Sequence, residues 1–160
     1  MSKQLLLGDE AIAQAALDAG LSGVYAYPGT PSTEITEYIQ MAPITAEKNI
    51  HNRWCSNEKT AMEAALGMSF AGKRSLVCMK HVGMNVAADC FINSAITGVK
   101  GGLIVIAADD PVCTLHRMSR TAVSMATSPS SRCTNQATSK KHTTWRTTDS
   151  ASPNRPANPS

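Results

Sequence analysis

Gly101-Gly102-Leu103-Ile104-Val105-Ile106-Ala107-Ala108-Asp109-Asp110-Pro111 decides the fold. Six apolar residues stand between a glycine pair and a pair of carboxylates. The run has strand length and no polar alternation, so it predicts a strand covered on both faces. Ser75-Leu76-Val77-Cys78-Met79 repeats the pattern. Strands of this kind belong to parallel sheets with helices on both sides. The intervening segments agree. Ala11, Ile12, Ala15, Ala16 and Ala19 recur at helical spacing over 9–19, with Gly20 as the stop. Val24 to Tyr27 reads as a short strand ended by Pro28-Gly29-Thr30-Pro31. Pro31 suits the first turn of a helix over 31–41, capped by Thr30. Ile50 to Trp54 reads as a further strand. A helix over 57–71 follows, with Ser56 or Asn57 as cap, Ala61, Ala64, Ala65, Met68 and Ser69 as a small-residue face, and Gly72 as closure. A turn bearing Gly83 leads into a helix over 84–97.

The predicted class is therefore α/β, a parallel sheet with helices on both faces. In such sheets ligands bind at the carboxyl ends of the strands. That edge collects four loops: Tyr27–Thr30, Trp54–Glu58, Lys80–Asn85 and Asp109–Pro111.

Charge divides the chain. Residues 1–111 carry 8 Lys and Arg against 11 Asp and Glu. Residues 112–160 carry 7 against one, Asp149, with 9 Ser, 9 Thr, 4 Pro and no Ile, Phe or Gly. No apolar period survives after Pro111, so 112–160 reads as a disordered basic tail. Seven cations among hydroxyls are a weak basis for a nucleic-acid arm. No apolar run approaches the roughly 20 residues that span a bilayer. Cys55, Cys78, Cys90, Cys113 and Cys133 form no C-x-x-C pair, so no zinc or iron–sulfur framework is visible. An odd count of thiols and an N-terminus unlike a secretory signal give the expectation of a cytoplasmic chain.

Residues at the ligand edge admit two readings each. Glu58 begins a helix, where a carboxylate complements the dipole or serves chemistry. His81 follows a buried strand, where it is a base, a donor or a packed side chain. Asp109 and Asp110 could hold a metal, and helix capping is the simpler reading. The turn from Tyr27 to Pro31 offers backbone N–H groups and a hydroxyl. No G-x-G-x-x-G, P-loop or G-x-S-x-G motif is present, which disfavours dinucleotide, nucleotide and serine-hydrolase sites.

Five segments at these loops resemble one family. They are Gly8-Asp9-Glu10-Ala11-Ile12-Ala13, Tyr27-Pro28-Gly29-Thr30-Pro31-Ser32, Asn57-Glu58-Lys59, Met79 to Asp89, and Ala108-Asp109-Asp110-Pro111. In this order they resemble the start of the alpha subunit of indolepyruvate ferredoxin oxidoreductases, which are thiamine-diphosphate-dependent 2-oxoacid oxidoreductases. The Tyr-Pro-x-Thr-Pro turn is widely shared in that family. Met-Lys-His-Val-Gly and Ala-Asp-Asp-Pro point to the indolepyruvate branch. The likeness covers about residues 5–111.

The resemblance implies that 1–111 is a pyrimidine-binding domain. It implies that Glu58 is catalytic, contacting N1′ of the cofactor's aminopyrimidine. A carboxyl in a dry pocket keeps its proton and donates it there, favouring the imino form of the ring. Pro28 and Gly29 are implied on the cofactor side, Thr30 at the substrate carboxyl, and His81 lining the substrate side. No residue of this chain is expected to bind metal. The diphosphate and its Mg2+ are implied on a domain absent here, and iron–sulfur clusters on a further one. Implied partners are a beta subunit, ferredoxin, coenzyme A and the 2-oxoacid, with no membrane and no nucleic acid.

The likeness stops at Pro111, where the family continues close to Met-His-Ser-Ser-Gln-Asn-Glu-Gln-Asp-Ser-Arg. Every codon junction from Val112–Cys113 to Ala122–Val123 is compatible with that continuation in a shifted register, and the next three, to Met125–Ala126, allow Phe, Tyr and Gly, which also suit the family. The expectation is a frameshift near Asp110–Pro111, leaving 112–160 as out-of-frame translation. The expected function is a fragment, inactive by itself, of an enzyme that converts indolepyruvate and other aryl 2-oxoacids to acyl-CoA with ferredoxin as acceptor. Two alternatives are a fragment of a pyruvate or 2-oxoglutarate type enzyme, and a non-catalytic α/β binding module with a basic arm.

Overall fold

The computed structural model describes residues 5–109. The expectations for 112–160, including disorder, frameshift and basic arm, lie outside the described residues. So do Asp110, Cys113 and Cys133.

Four strands form one parallel sheet: β1 (Gly23–Ala26), β2 (His51–Trp54), β3 (Ser75–Lys80) and β4 (Leu103–Ala108), in the order β2-β1-β3-β4. The helices are α1 (Gly8–Asp18), α2 (Thr33–Met41), α3 (Pro43–Glu47), α4 (Glu58–Phe70), α5 (Gly83–Val86) and α6 (Ala88–Thr97).

The pleat sorts the apolar runs. Ser75–Met79 is buried on both faces, but β4 at the sheet edge is only partly buried and Ala107 is exposed, which corrects the expectation that Leu103–Ala108 is fully covered. Val24 and Ala26 of β1, Leu76 and Cys78 of β3, and Ile104 and Ile106 of β4 join a core made with Ala13, Leu17, Ile35 and Ile39 of α1 and α2. The alternate residues Tyr25, Val77, Met79, Leu103 and Val105 join a second core. There they meet Ala61, Met62 and Ala65 of α4 and Met84, Ala87 and Cys90 around α5 and α6. Small side chains on α4 let its axis lie close to the sheet. Helices on both faces are thus as the sequence predicts.

Each helix boundary has a local cause. Asn57 caps α4, its Oδ1 accepting from the Thr60 N–H at 2.8 Å. Gly72 follows that helix at φ +78°, a conformation that favours glycine. Three expectations need correction. First, α2 starts at Thr33 behind Ser32, so Thr30 is no cap. Gly29 and Ser32 fold the intervening turn on themselves, with the Ser32 Oγ donating to the Gly29 carbonyl at 2.7 Å. Second, the helix over 84–97 is two helices that meet at Ala87. Ala87, at φ −87° and ψ 0°, stands between them as the C-cap of α5 and the N-cap of α6. Third, α3 was not foreseen: five residues beginning at Pro43 are too few to show a period.

Order and connectivity locate the ligand edge. From β1 the chain moves outward to β2, then crosses back over β1 to β3. The direction of winding reverses between β1 and β3. Helices consequently fall on opposite faces, and a crevice opens outside the carboxyl ends of those two strands. Of the four loops at this edge, those after β1 and β3 flank the crevice directly.

Candidate functional site

The turn after β1 approaches the end of β3 closely. A Cβ on Gly29 would lie 3.3 Å from the Cβ of Lys80, tighter than side chains normally pack. Glycine therefore lets the turn settle into the crevice. The Gly29 N–H donates to Thr33 Oγ1 at 3.0 Å, so it is engaged within the turn and not offered outward as the sequence reading expected. The Thr30–Pro31 peptide is cis. Pro28 and Thr30 are exposed at this edge.

Glu58 is the first residue of α4 and is half-buried. Its side chain reaches over the start of α5. A Cβ at Gly83 would come within 2.6 Å of Glu58 Oε1 and 2.8 Å of Cδ. The carboxyl group thus occupies the space that any other residue at 83 would fill. Sequence reasoning placed Gly83 in a turn and missed this role. The missing signal is tertiary, because 25 positions separate the two residues in the chain. Half-burial also means that the described residues do not by themselves close a dry pocket around Glu58.

His81 follows β3 and is only 4% exposed. Its N–H donates to the Ala108 carbonyl at 2.8 Å, and its carbonyl accepts from Met84 N–H at 3.2 Å. These bonds tie the ends of β3 and β4 together and bring Asp109 alongside. Asp109 Oδ1 lies 3.2 Å from His81 Nδ1, but off the line of an N–H bond, so Nδ1 has no hydrogen-bond partner. A buried polar atom left so costs about 1–3 kcal/mol. The Asp109 carboxylate faces a histidine; the metal and capping readings of Asp109-Asp110 need Asp110 and the segment after it, which lie outside the described residues. Among the described residues no group of three or more His, Cys, Asp or Glu is placed to hold a metal ion.

Gly29, His81 and Glu58 therefore gather around the end of β3, with Pro28 and Thr30 exposed in the turn opposite. Nearby, Lys59 Nζ lies 3.3 Å from Asp89 Oδ2, and this hydrogen bond holds the ammonium above its ordinary value. Cys55, Cys78 and Cys90 are free thiols. Burial pushes Cys78 up to about 12 and raises Cys55 and Cys90 as well. No described helix is long and apolar enough to cross a membrane.

The fold is thus a parallel α/β sheet that carries the Glu58 carboxyl over Gly83, at the loop that follows β3. Residues 14–93 match the family described as "Pyruvate flavodoxin/ferredoxin oxidoreductase, thiamine diP-bdg". The chain belongs to that family. It is 47% identical over 107 residues to the indolepyruvate oxidoreductase subunit IorA of Thermococcus kodakarensis, covering 67% of this chain and 16% of that protein. With the same subunit of Archaeoglobus fulgidus the identity is 46% over 111 residues, covering 68% and 18%. The chain thus spans about one sixth of the length of the curated relatives it matches. A solved structure, the 2-oxoglutarate:ferredoxin oxidoreductase from Magnetococcus marinus with 2-oxoglutarate, coenzyme A and succinyl-CoA bound, superposes with a TM-score of 0.59 at 21% identity. It covers 68% of this chain and 18% of that one, and its likeness is one of fold.

Proposed function

We propose that residues 1–111 form the pyrimidine-binding part of a thiamine-diphosphate site, in a ferredoxin-dependent 2-oxoacid oxidoreductase of indolepyruvate type. One observation carries the reading. In a chain 46–48% identical to indolepyruvate oxidoreductase subunits, the Glu58 carboxyl fills the space above Gly83 at the ligand edge. A carboxyl held there, able to donate or accept one proton, fits the ring nitrogen of an aminopyrimidine. Thiamine diphosphate, when bound, supplies the nucleophilic carbon through which a 2-oxoacid loses CO2.

This chain's own residues do the rest. Glu58 holds a proton at N1′ of the aminopyrimidine. Pro28 and Gly29 give a stiff, closely packed wall on the cofactor side. The Thr30 hydroxyl donates to the substrate carboxylate, and His81 lines the substrate side. The diphosphate and its Mg2+ are assigned to no described residue, and they belong with iron–sulfur clusters to other parts of the enzyme. A beta subunit, ferredoxin and coenzyme A are its partners, and the cytoplasm is its compartment. The substrate is an aryl 2-oxoacid, converted to its acyl-CoA.

Glu58→Gln in the assembled enzyme tests the reading. Loss of the proton-holding carboxyl should lower indolepyruvate-dependent dye reduction by about 10²–10⁴-fold. Circular dichroism should remain that of the wild type. Retention of full activity would overturn the assignment of Glu58. Equal or greater turnover of pyruvate or 2-oxoglutarate would overturn the aryl preference. Activity of the 160-residue chain alone would overturn its status as one part of a larger site.

A further inference from the structure

We infer that Asp109 is a positioning residue for His81, fixing which imidazole nitrogen carries the proton. It rests on the reading of the carboxyl-end loops as the active site. The observation is the orphaned Nδ1. His81 is buried, both of its backbone groups are engaged, and Nδ1 has no hydrogen-bond partner. Asp109 Oδ1 stands 3.2 Å away. The Asp109 side chain is 54% exposed, so it is free to turn through the small angle that aligns it.

The placement is built by the sheet. Lys80 is paired with Ala108 in parallel register, and the His81 N–H continues the ladder to the Ala108 carbonyl. His81 and Asp109 are therefore the first residues past paired strand ends, side by side. A carboxylate accepts and cannot donate when ionised. Facing Nδ1, it selects the tautomer with Nδ1–H, and a neutral imidazole then has Nε2 as its acceptor. His81 so fixed can accept a hydrogen bond or a proton at Nε2 and cannot donate there. This gives the substrate side of the edge a defined polarity. A ligand group that meets His81 must bring a donor.

The experiment reads the tautomer directly, without activity, so it can fail independently of the functional reading. The full 160-residue chain is uniformly labelled with 15N, and long-range 1H–15N correlations of its imidazoles are recorded at a pH where they are neutral. The His81 signals are assigned by their loss in His81→Gln. The wild type should show protonated Nδ1 and bare Nε2. In Asp109→Ala the Nδ1–H form should fall to the minority, with the amide shifts of Val77 and Val105 unmoved. A wild type dominated by Nε2–H overturns the inference without any variant. So does an Asp109→Ala chain whose His81 tautomer is unchanged.

Discussion

Gly83 and Gly101 look alike in the sequence, and their surroundings give them opposite roles. A Cβ at Gly83 meets the far end of a flexible side chain, Glu58. Gly83→Ala should therefore leave stability within about 1 kcal/mol of the wild type, because the carboxyl can swing aside. Displacing the carboxyl by an ångström should cost about 10²-fold in turnover of the assembled enzyme. The checks are a thermal melt and a steady-state assay on the same preparation. A variant with wild-type turnover would separate Gly83 from the site.

At the scale of elements, the connection from α4 to β3 and the entry to β4 are joined by backbone. A Cβ at Gly101 would run into the Lys73 backbone, its carbonyl included. The Gly101 N–H donates to the Ser69 carbonyl at 2.8 Å, and Ser69 Oγ donates to the Gly101 carbonyl at 2.6 Å. Neither partner can swing aside as Glu58 can. Gly101→Ala should destabilise the chain by about 1–3 kcal/mol, read as a lower urea midpoint with the slope unchanged. At the other end of α4, Asn57→Ala removes the cap and should cost about 1 kcal/mol in the same experiment.

For the molecule as a whole, buried thiols set the alkaline limit. Cys78 has no exposure and keeps its proton up to about 12, against an ordinary value of 9.0. Above 9.0 the unfolded chain has lost that proton and the folded chain still holds it. Proton binding is then greater in the folded state, so stability falls as pH rises. The loss from this group is about 1.4 kcal/mol per pH unit and ends near the folded value. Cys55, Cys90 and Tyr25, also raised by burial, act in the same direction. Urea unfolding between pH 8 and 11 should show the decline, and Cys78→Ala should flatten it. An equal slope in both proteins would show that Cys78 is not its source.

The sequence by itself determined the layers. An unbroken apolar run such as Ser75–Met79 is satisfied by cover on both faces, and the helices between the strands supply it. It also determined which loops share the ligand edge, because parallel strands send every strand-to-helix loop to one side. Helix ends were legible where a local rule acts, at Asn57, Gly20 and Gly72. The resemblance, and no feature of spacing, singled out Glu58. Only the tertiary structure decided the rest. The winding reversal between β1 and β3 depends on strand order, which no local pattern encodes. The space over Gly83 and the juxtaposition of His81 with Asp109 depend on contacts between residues far apart in the chain. Such contacts exist only once the sheet has brought its strand ends together.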